Sequence, residues 1–195
     1  MSNFFKNDEE LFALIKRNDS KALKELFDKY FISLCGFSYT YVKSVDLSEE
    51  VVSDIFLNIW LKRSTLEIKS NLKAYLYTAT RNRSINYLAK EKRNWESLEV
   101  ADSESVSIEN LPDEIINFKE LESMVESIIQ KLPPKRQLVF RLNRIDGLSY
   151  KEISNVLSIS VNTVQNHMVK AVEFISNQYP NIKSIFTLLL LLFLV

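Results

Sequence analysis

The chain has 195 residues, with 25 Lys plus Arg against 25 Asp plus Glu and a formal net charge of zero. Its two glycines, four prolines, one cysteine and one histidine argue against β-sandwiches, barrels and glycine-rich nucleotide turns. They also exclude a disulfide framework and a multi-histidine metal centre. With 46% hydrophobic and 26% charged residues the profile is that of a soluble globular protein of one domain or two small ones, and its neutrality disfavours nucleic acid unless the charge is unevenly spread.

In chain order, no apolar run opens the sequence, so secretion is not expected. Residues 8–34 read as helix, with Leu11, Leu14, Ile15, Leu23, Leu26, Phe27, Phe31 and Leu34 at three- and four-residue spacings. Asn18-Asp19-Ser20 marks a turn and cap within it. Residues 36–45 form a further, aromatic-rich helical piece. Asp46-x-x-Glu49 is a capping-box pattern that opens a helix to about Arg63. From Val51 to Leu61 only Ser53, Asp54 and Asn58 interrupt the apolar residues, so this helix is buried on most sides or docks on a partner. Ser64 to Asn71 is a polar loop, and residues 72–93 form a long helix. Residues 96–114 are acidic and Ser-rich and read as a flexible linker with too little apolar surface to order. Helix resumes from about Asp113 to Lys131, and Pro133-Pro134 opens another to about Ile145.

Gly147 then ends a helix, and Ser149-x-x-Glu152 caps a short one, Tyr150 to Leu157. Ser158-Ile159-Ser160 is a tight turn, and Ser160 caps a helix from Val161 to about Ser176. Val161, Val164, Met168, Val172 and Ile175 share one face of it. The opposite face carries Asn162, Thr163, Asn166 and Lys170, with His167 at one edge and Gln165 on a shoulder. Asn and Gln can bond adenine bidentately in the major groove, and Lys can reach guanine or phosphate. The tail, 185–195, is almost wholly apolar. As a helix it spans about 17 Å, short of the roughly 30 Å of a bilayer core, so it predicts a protein contact rather than a membrane anchor.

The neutral total conceals three charge blocks. Residues 1–97 carry +3, residues 98–130 carry −8, and residues 131–195 carry +5. Residues 69–93 alone carry +6, and local charge governs partners because fields decay over roughly 8 Å in physiological salt. That basic stretch also holds Tyr75, Tyr77, Tyr87, Asn82 and Asn86, a mixture suited to stacking unpaired bases. The layout is all-α: two small helical domains joined by an acidic flexible linker, the C-terminal one a helix-turn-helix. The boundaries are 1–95, 96–114 for the linker and 115–180, with the apolar tail at 181–195.

Three segments in this order carry a resemblance over about residues 8–178. LSEEVVSDIFLNIW (47–60), LKAYLYTATRNRSINYLAK (72–90) and LPPKRQLVFRLNRIDGLSYKEISNVLSISVNTVQNHMVKA (132–171) resemble segments of bacterial RNA polymerase sigma factors. The family is sigma-70, in its small extracytoplasmic-function group. The resemblance implies a cytoplasmic promoter-specificity subunit that is neither an enzyme nor an integral membrane protein and needs no cofactor or metal. Its partners would be core polymerase through the clamp coiled coil, promoter DNA that is double-stranded at −35 and single-stranded at −10, and an anti-sigma protein. By position it implies polymerase binding at Glu50, Ser53, Asp54 and Leu57. It implies −10 contacts at Leu66, Ile68, Asn71, Lys73, Tyr75, Arg81, Asn82, Arg83 and Asn86. The loop residues Leu66, Ile68 and Asn71 would line the pocket for a flipped base. The −35 readers would be Ser160, Asn162, Thr163, Gln165, Asn166, His167 and Lys170. Ser53 stands where the family commonly has glutamine, and Gln165, Asn166 and His167 replace a more basic run. Weak −35 binding in the absence of polymerase is therefore expected. The rival reading is a stand-alone helix-turn-helix regulator with an N-terminal sensing domain; a membrane-associated adaptor held by the tail is a second.

Overall fold

The computed structural model describes residues 7–68, 71–95 and 126–178, with the side chains of the second stretch described to Lys90. The acidic linker and the apolar tail lie outside the described residues. Among those described there is no strand. The chain divides into two compact units near residue 100.

The N-terminal unit begins with α1, Asp8–Lys16, opened by a capping box. Glu10 N donates to Asn7 Oδ1 at 2.8 Å and Asn7 N to Glu10 Oε2 at 3.2 Å. Asn18 takes a left-handed conformation (φ 68°), which an Asn tolerates better than most residues. Asp19 then caps α2, Ser20–Val42, accepting from Lys21 N and Ala22 N. The separate piece expected over 36–45 does not exist: α2 runs unbroken through Gly36 to Lys43, whose left-handed φ of 55° stops it. A mid-helix glycine costs about 1 kcal/mol relative to alanine. The buried side chains Tyr30, Leu34 and Phe37 on either side of it outweigh that cost.

Helix α3, Val45–Leu61, begins earlier than the Asp46 pattern predicts. Ser44 is the cap, its Oγ accepting from Leu47 N at 3.4 Å while its carbonyl takes Ser48 Oγ at 2.6 Å. Helix α4 is Leu72–Trp95. Helix α2 lies at the centre of this unit, packed against α1, α3 and α4. Leu26 and Leu34 meet a core that also includes Val52, Phe56, Ile59, Leu76 and Tyr77. Phe27 meets Phe56 edge-on at 5.0 Å, and Phe37 meets Tyr77 at 5.1 Å. One fully buried polar contact pins α2 to α4, Ser38 Oγ to Ser84 Oγ at 2.9 Å.

In the C-terminal unit, residues 126–130 are helical and are labelled α5. Pro134 opens α6, Pro134–Arg144, in the first-turn position where a missing N–H costs nothing. Gly147 supplies the left-handed φ of 70° that the following bend needs. Helix α7, Tyr150–Leu157, carries the predicted capping box, and Ser158 (φ 54°) turns the chain into α8, Val161–Gln178. Helix α6 packs on α8. Phe140, Leu142, Leu148, Ile153 and Val156 fill the core with Val164 and Met168. Gln137 Nε2 reaches the Ile129 carbonyl at 3.1 Å, and Asn143 Nδ2 reaches that of Leu148 at 2.8 Å.

Candidate nucleic-acid interface

The second helix of the helix-turn-helix is held by its first turn. Thr163 N donates to Ser160 Oγ at 3.0 Å, and the two hydroxyls lie 2.8 Å apart. The buried stripe of α8 is Val164, Met168, Ala171 and Ile175, spaced four, three and four residues apart. This corrects the predicted face, because Val161 and Val172 are exposed and the small Ala171 is buried in their stead. Asn162, Gln165, Asn166 and Lys170 are exposed on the outer side with Ser160, while Thr163 and His167 are half-buried. His167 is pushed below the usual imidazole range, first by burial and then by the charges of Arg136, Lys135 and Lys170. The predicted loss of basic charge on α8 is thus partly made up by two residues of α6. The sequence reading missed Lys135 and Arg136, although both sit in the Pro-Pro-Lys-Arg run that starts the helix.

In the other unit, Asn82, Arg83 and Asn86 are exposed along α4, and Lys73, Tyr75 and Arg81 are half-buried. Lys73 places its amine 5.9 Å over the Tyr30 ring. Burial pushes the Tyr75 hydroxyl above its ordinary range. Burial also raises Tyr41, while the charge and hydrogen bond of Arg81 pull it back. Tyr77 is not available for stacking: it is 1% exposed and packs on Phe37. In the loop Leu66 and Ile68 are half-buried and Asn71 is exposed. The Asn71 side-chain oxygen accepts from Lys73 N at 2.8 Å, so it caps α4.

The outer face of α3 is less apolar than its composition suggests. Val51, Val52, Ile55, Phe56 and Ile59 point inward, which leaves Glu50, Ser53 and Leu57 exposed and Asp54 half-buried. Leu57 and Leu61 are 55% and 67% exposed, and Asn58 lies between them. A cleft of about 370 Å³ between α3 and α4 is lined by Asp54, Leu57, Asn58, Leu61, Tyr75, Arg83 and Asn86, among others. A second groove of about 240 Å³ between α2 and α3 is lined by Leu23, Phe27, Phe56, Leu57 and Trp60. Leu57 lines both, so it forms the ridge that divides them. Residues predicted for two different partners therefore line one cleft, with Asp54 paired to Arg83 and Tyr87 Oη donating to Glu50 Oε2 at 3.3 Å.

Four helices with a polar–apolar groove, and a separate helix-turn-helix with a polar outer face, define a two-part DNA-binding protein. Sigma-70 region 2 matches residues 26–94 and sigma-70, region 4, matches residues 122–175, which takes in both surfaces. The chain belongs to the sigma-70 family of RNA polymerase sigma factors. It is similar to the ECF RNA polymerase sigma factor SigW of Bacillus subtilis. That match is 26% identical over 172 residues, 84% of this chain and 92% of SigW. It is also similar to the ECF RNA polymerase sigma-E factor of Escherichia coli K12, 27% identical over 179 residues, 88% of this chain and 93% of that protein. Two solved structures share the fold. RpoE in complex with the anti-sigma factor NepR, from Bartonella quintana, gives a TM-score of 0.57 at 21% identity, covering 80% of this chain and 96% of RpoE. CnrH in complex with the cytosolic domain of CnrY gives 0.52 at 19% identity, covering 89% and 97%. None of the helices among the described residues is long and apolar enough to cross a membrane.

Proposed function

We propose that this sigma factor acts in the cytoplasm as a non-catalytic subunit. It docks on core RNA polymerase through α3, engages unpaired −10 bases along α4 and the loop before it, and reads the −35 duplex with α8. The observation that carries this reading is the exposed row Asn162, Gln165, Asn166 and Lys170 on a helix fixed at its start by Ser160. Short amides on the first turns of such a helix reach base edges, and Lys170 reaches guanine or phosphate. On α3, the exposed Leu57 flanked by Glu50, Ser53 and Asp54 supports docking, because a large apolar side chain rimmed by polar groups suits a protein partner. On α4, Tyr75 beside Arg81, Asn82, Arg83 and Asn86 supports base stacking with phosphate neutralisation. Each stacked base contributes about 1–3 kcal/mol. Leu66 and Ile68 offer apolar surface on the loop, whereas Asn71 contributes by ordering its end.

An anti-sigma protein is the regulatory partner proposed, since the apolar ridge at Leu57 and Leu61 needs cover when polymerase is absent. The domain boundaries proposed are a region 2-like domain over 1–95 and a region 4-like domain over 115–180.

Run-off transcription with core polymerase, with and without this chain, tests the reading directly. A promoter-specific transcript that needs the chain, with footprints at both elements, is the expected result. Tight promoter binding by the chain alone, with no polymerase-dependent transcript, would instead establish the stand-alone regulator.

A further inference from the structure

Glu50 and Asp54 lie four residues apart on α3, and Arg83 and Tyr87 lie four residues apart on α4. The side chains pair in antiparallel order across the cleft: Arg83 Nη2 donates to Asp54 Oδ2, and Tyr87 Oη donates to Glu50 Oε2. The two contacts are successive rungs, one helical turn apart. Both carboxylates assigned to polymerase docking are thus engaged by residues of the nucleic-acid helix. The exposed Leu57 and Leu61 sit on the same stretch of α3 and line the cleft with Asp54 and Arg83.

Paired carboxylates beside an apolar ridge suit a partner helix that presents a cation next to an apolar side chain. In the free chain Arg83 already fills the place of that cation. The pair is not deeply held, with 52% of the Arg83 side chain and 34% of the Asp54 side chain exposed. Ion pairs of this exposure exchange partners at little cost. A guanidinium matches a phosphate as well as it matches a carboxylate.

We propose that Arg83 and Tyr87 are internal occupants of the docking site: a cation of core polymerase replaces Arg83 on Asp54, and the released guanidinium binds the backbone phosphate of single-stranded −10 DNA. Tyr87 gives up its bond to Glu50 in the same exchange. Docking and −10 engagement then draw on the same side chains. By linkage, each strengthens the other by the same factor. The inference rests on the reading of α3 as the docking helix and α4 as the −10 helix.

The test is titration of the full-length chain with core polymerase, with and without single-stranded DNA carrying the non-template strand of a footprinted promoter. For the wild type, the DNA is expected to tighten core binding by about two- to fivefold, the scale of an exposed ion pair. Arg83→Leu removes the competitor, so core binding without DNA tightens by a similar factor and the added effect of DNA shrinks toward one. Arg83→Gln, which keeps a polar side chain, does the same and controls for altered packing. Asp54→Asn weakens core binding, and adding Arg83→Leu to it changes nothing further, because the pair is already broken. Effects of Arg83→Leu and Asp54→Asn that simply add overturn the exchange, as does an undiminished DNA effect in both Arg83 variants. Unchanged core affinity in Asp54→Asn overturns the docking assignment itself.

Discussion

Ser160 and Thr163 clasp each other at the start of α8. Thr163 N donates to Ser160 Oγ at 3.0 Å, and Thr163 Oγ1 lies 2.8 Å from the same oxygen. The contact ends the turn at Ser158 and sets the direction in which Asn162, Gln165 and Asn166 leave the domain. It also engages the Thr163 hydroxyl, so Thr163 serves the cap while the exposed Asn162 is placed to meet a base. Ser160→Ala is expected to cost about 1 kcal/mol of stability in the C-terminal unit. A lower melting temperature of the full chain, with weaker −35 footprinting by the holoenzyme, checks this.

Two tyrosines on α4 separate packing from binding. Tyr77→Ala removes a fully buried ring that meets Phe37, and the loss should be about 3 kcal/mol or more. Tyr75→Phe keeps the ring and should leave both stability and −10 melting nearly unchanged. Tyr75→Ala should leave a folded chain that melts promoters poorly, at about 1–3 kcal/mol per lost stack. Permanganate reactivity of −10 thymines reads the melting, and thermal unfolding reads the stability. Equal thermal loss in the two alanine variants would show that Tyr75 too is only core.

The pH dependence of the C-terminal unit should trace to His167. Its folded value lies below the unfolded imidazole value, through burial and then the Arg136, Lys135 and Lys170 charges. The unfolded state therefore binds the proton first, so stability falls as pH drops through about 6.5 and the loss levels off below the folded value. His167→Gln should flatten melting temperature against pH in that window. Duplex DNA acts in the opposite direction: its phosphates draw the proton on, so binding takes up a proton and strengthens as pH falls. Calorimetry in buffers of different ionisation enthalpy measures that uptake.

Lys135 and Arg136 should contribute to the salt dependence of −35 binding. If each neutralises one phosphate, Lys135→Ala and Arg136→Ala each flatten the log–log salt slope by about 0.9. Binding measured with holoenzyme between low and physiological salt gives the slope. No change in either variant would place these cations away from the DNA backbone.

Leu57 separates surface from core on α3. Because its side chain is more than half exposed, Leu57→Ala should alter stability by less than about 0.5 kcal/mol. As the ridge between two grooves it should nonetheless cost core polymerase binding at least about 1 kcal/mol, the scale of a docking anchor. Competition with an unmodified sigma factor for core enzyme gives that ratio. Phe56→Ala, one residue away and buried, should reverse the pattern and unfold the unit.

Local chemistry was legible from residue order. The Ser149–Glu152 box forms as its spacing implies, with Ser149 N to Glu152 Oε2 at 2.8 Å and Glu152 N to Ser149 Oγ at 3.3 Å. Asp19, Pro134 and Gly147 likewise act where their side chains or φ preferences place them. Boundaries set by competing signals were not legible. Residues 36–45 read as a separate piece, yet helix continues through Gly36 because its neighbours are buried. Asp46 reads as a cap, yet Ser44 reaches the free amide first.

Residue order also determined the all-helical class, the helix-turn-helix and the uneven charge behind a net of zero, because caps, periodicity and charge are properties of neighbours in the chain. Only the tertiary structure decided which side of each helix faces out. It buried Tyr77 while leaving Tyr75 half open, exposed Val161 and Val172 in favour of Ala171, and brought Lys135 and Arg136 of α6 near His167 of α8. It likewise paired Asp54 with Arg83, 29 positions away in the chain. Such pairings depend on how helices stack, and stacking is settled by the volumes of side chains from several segments at once, which no single stretch of sequence contains.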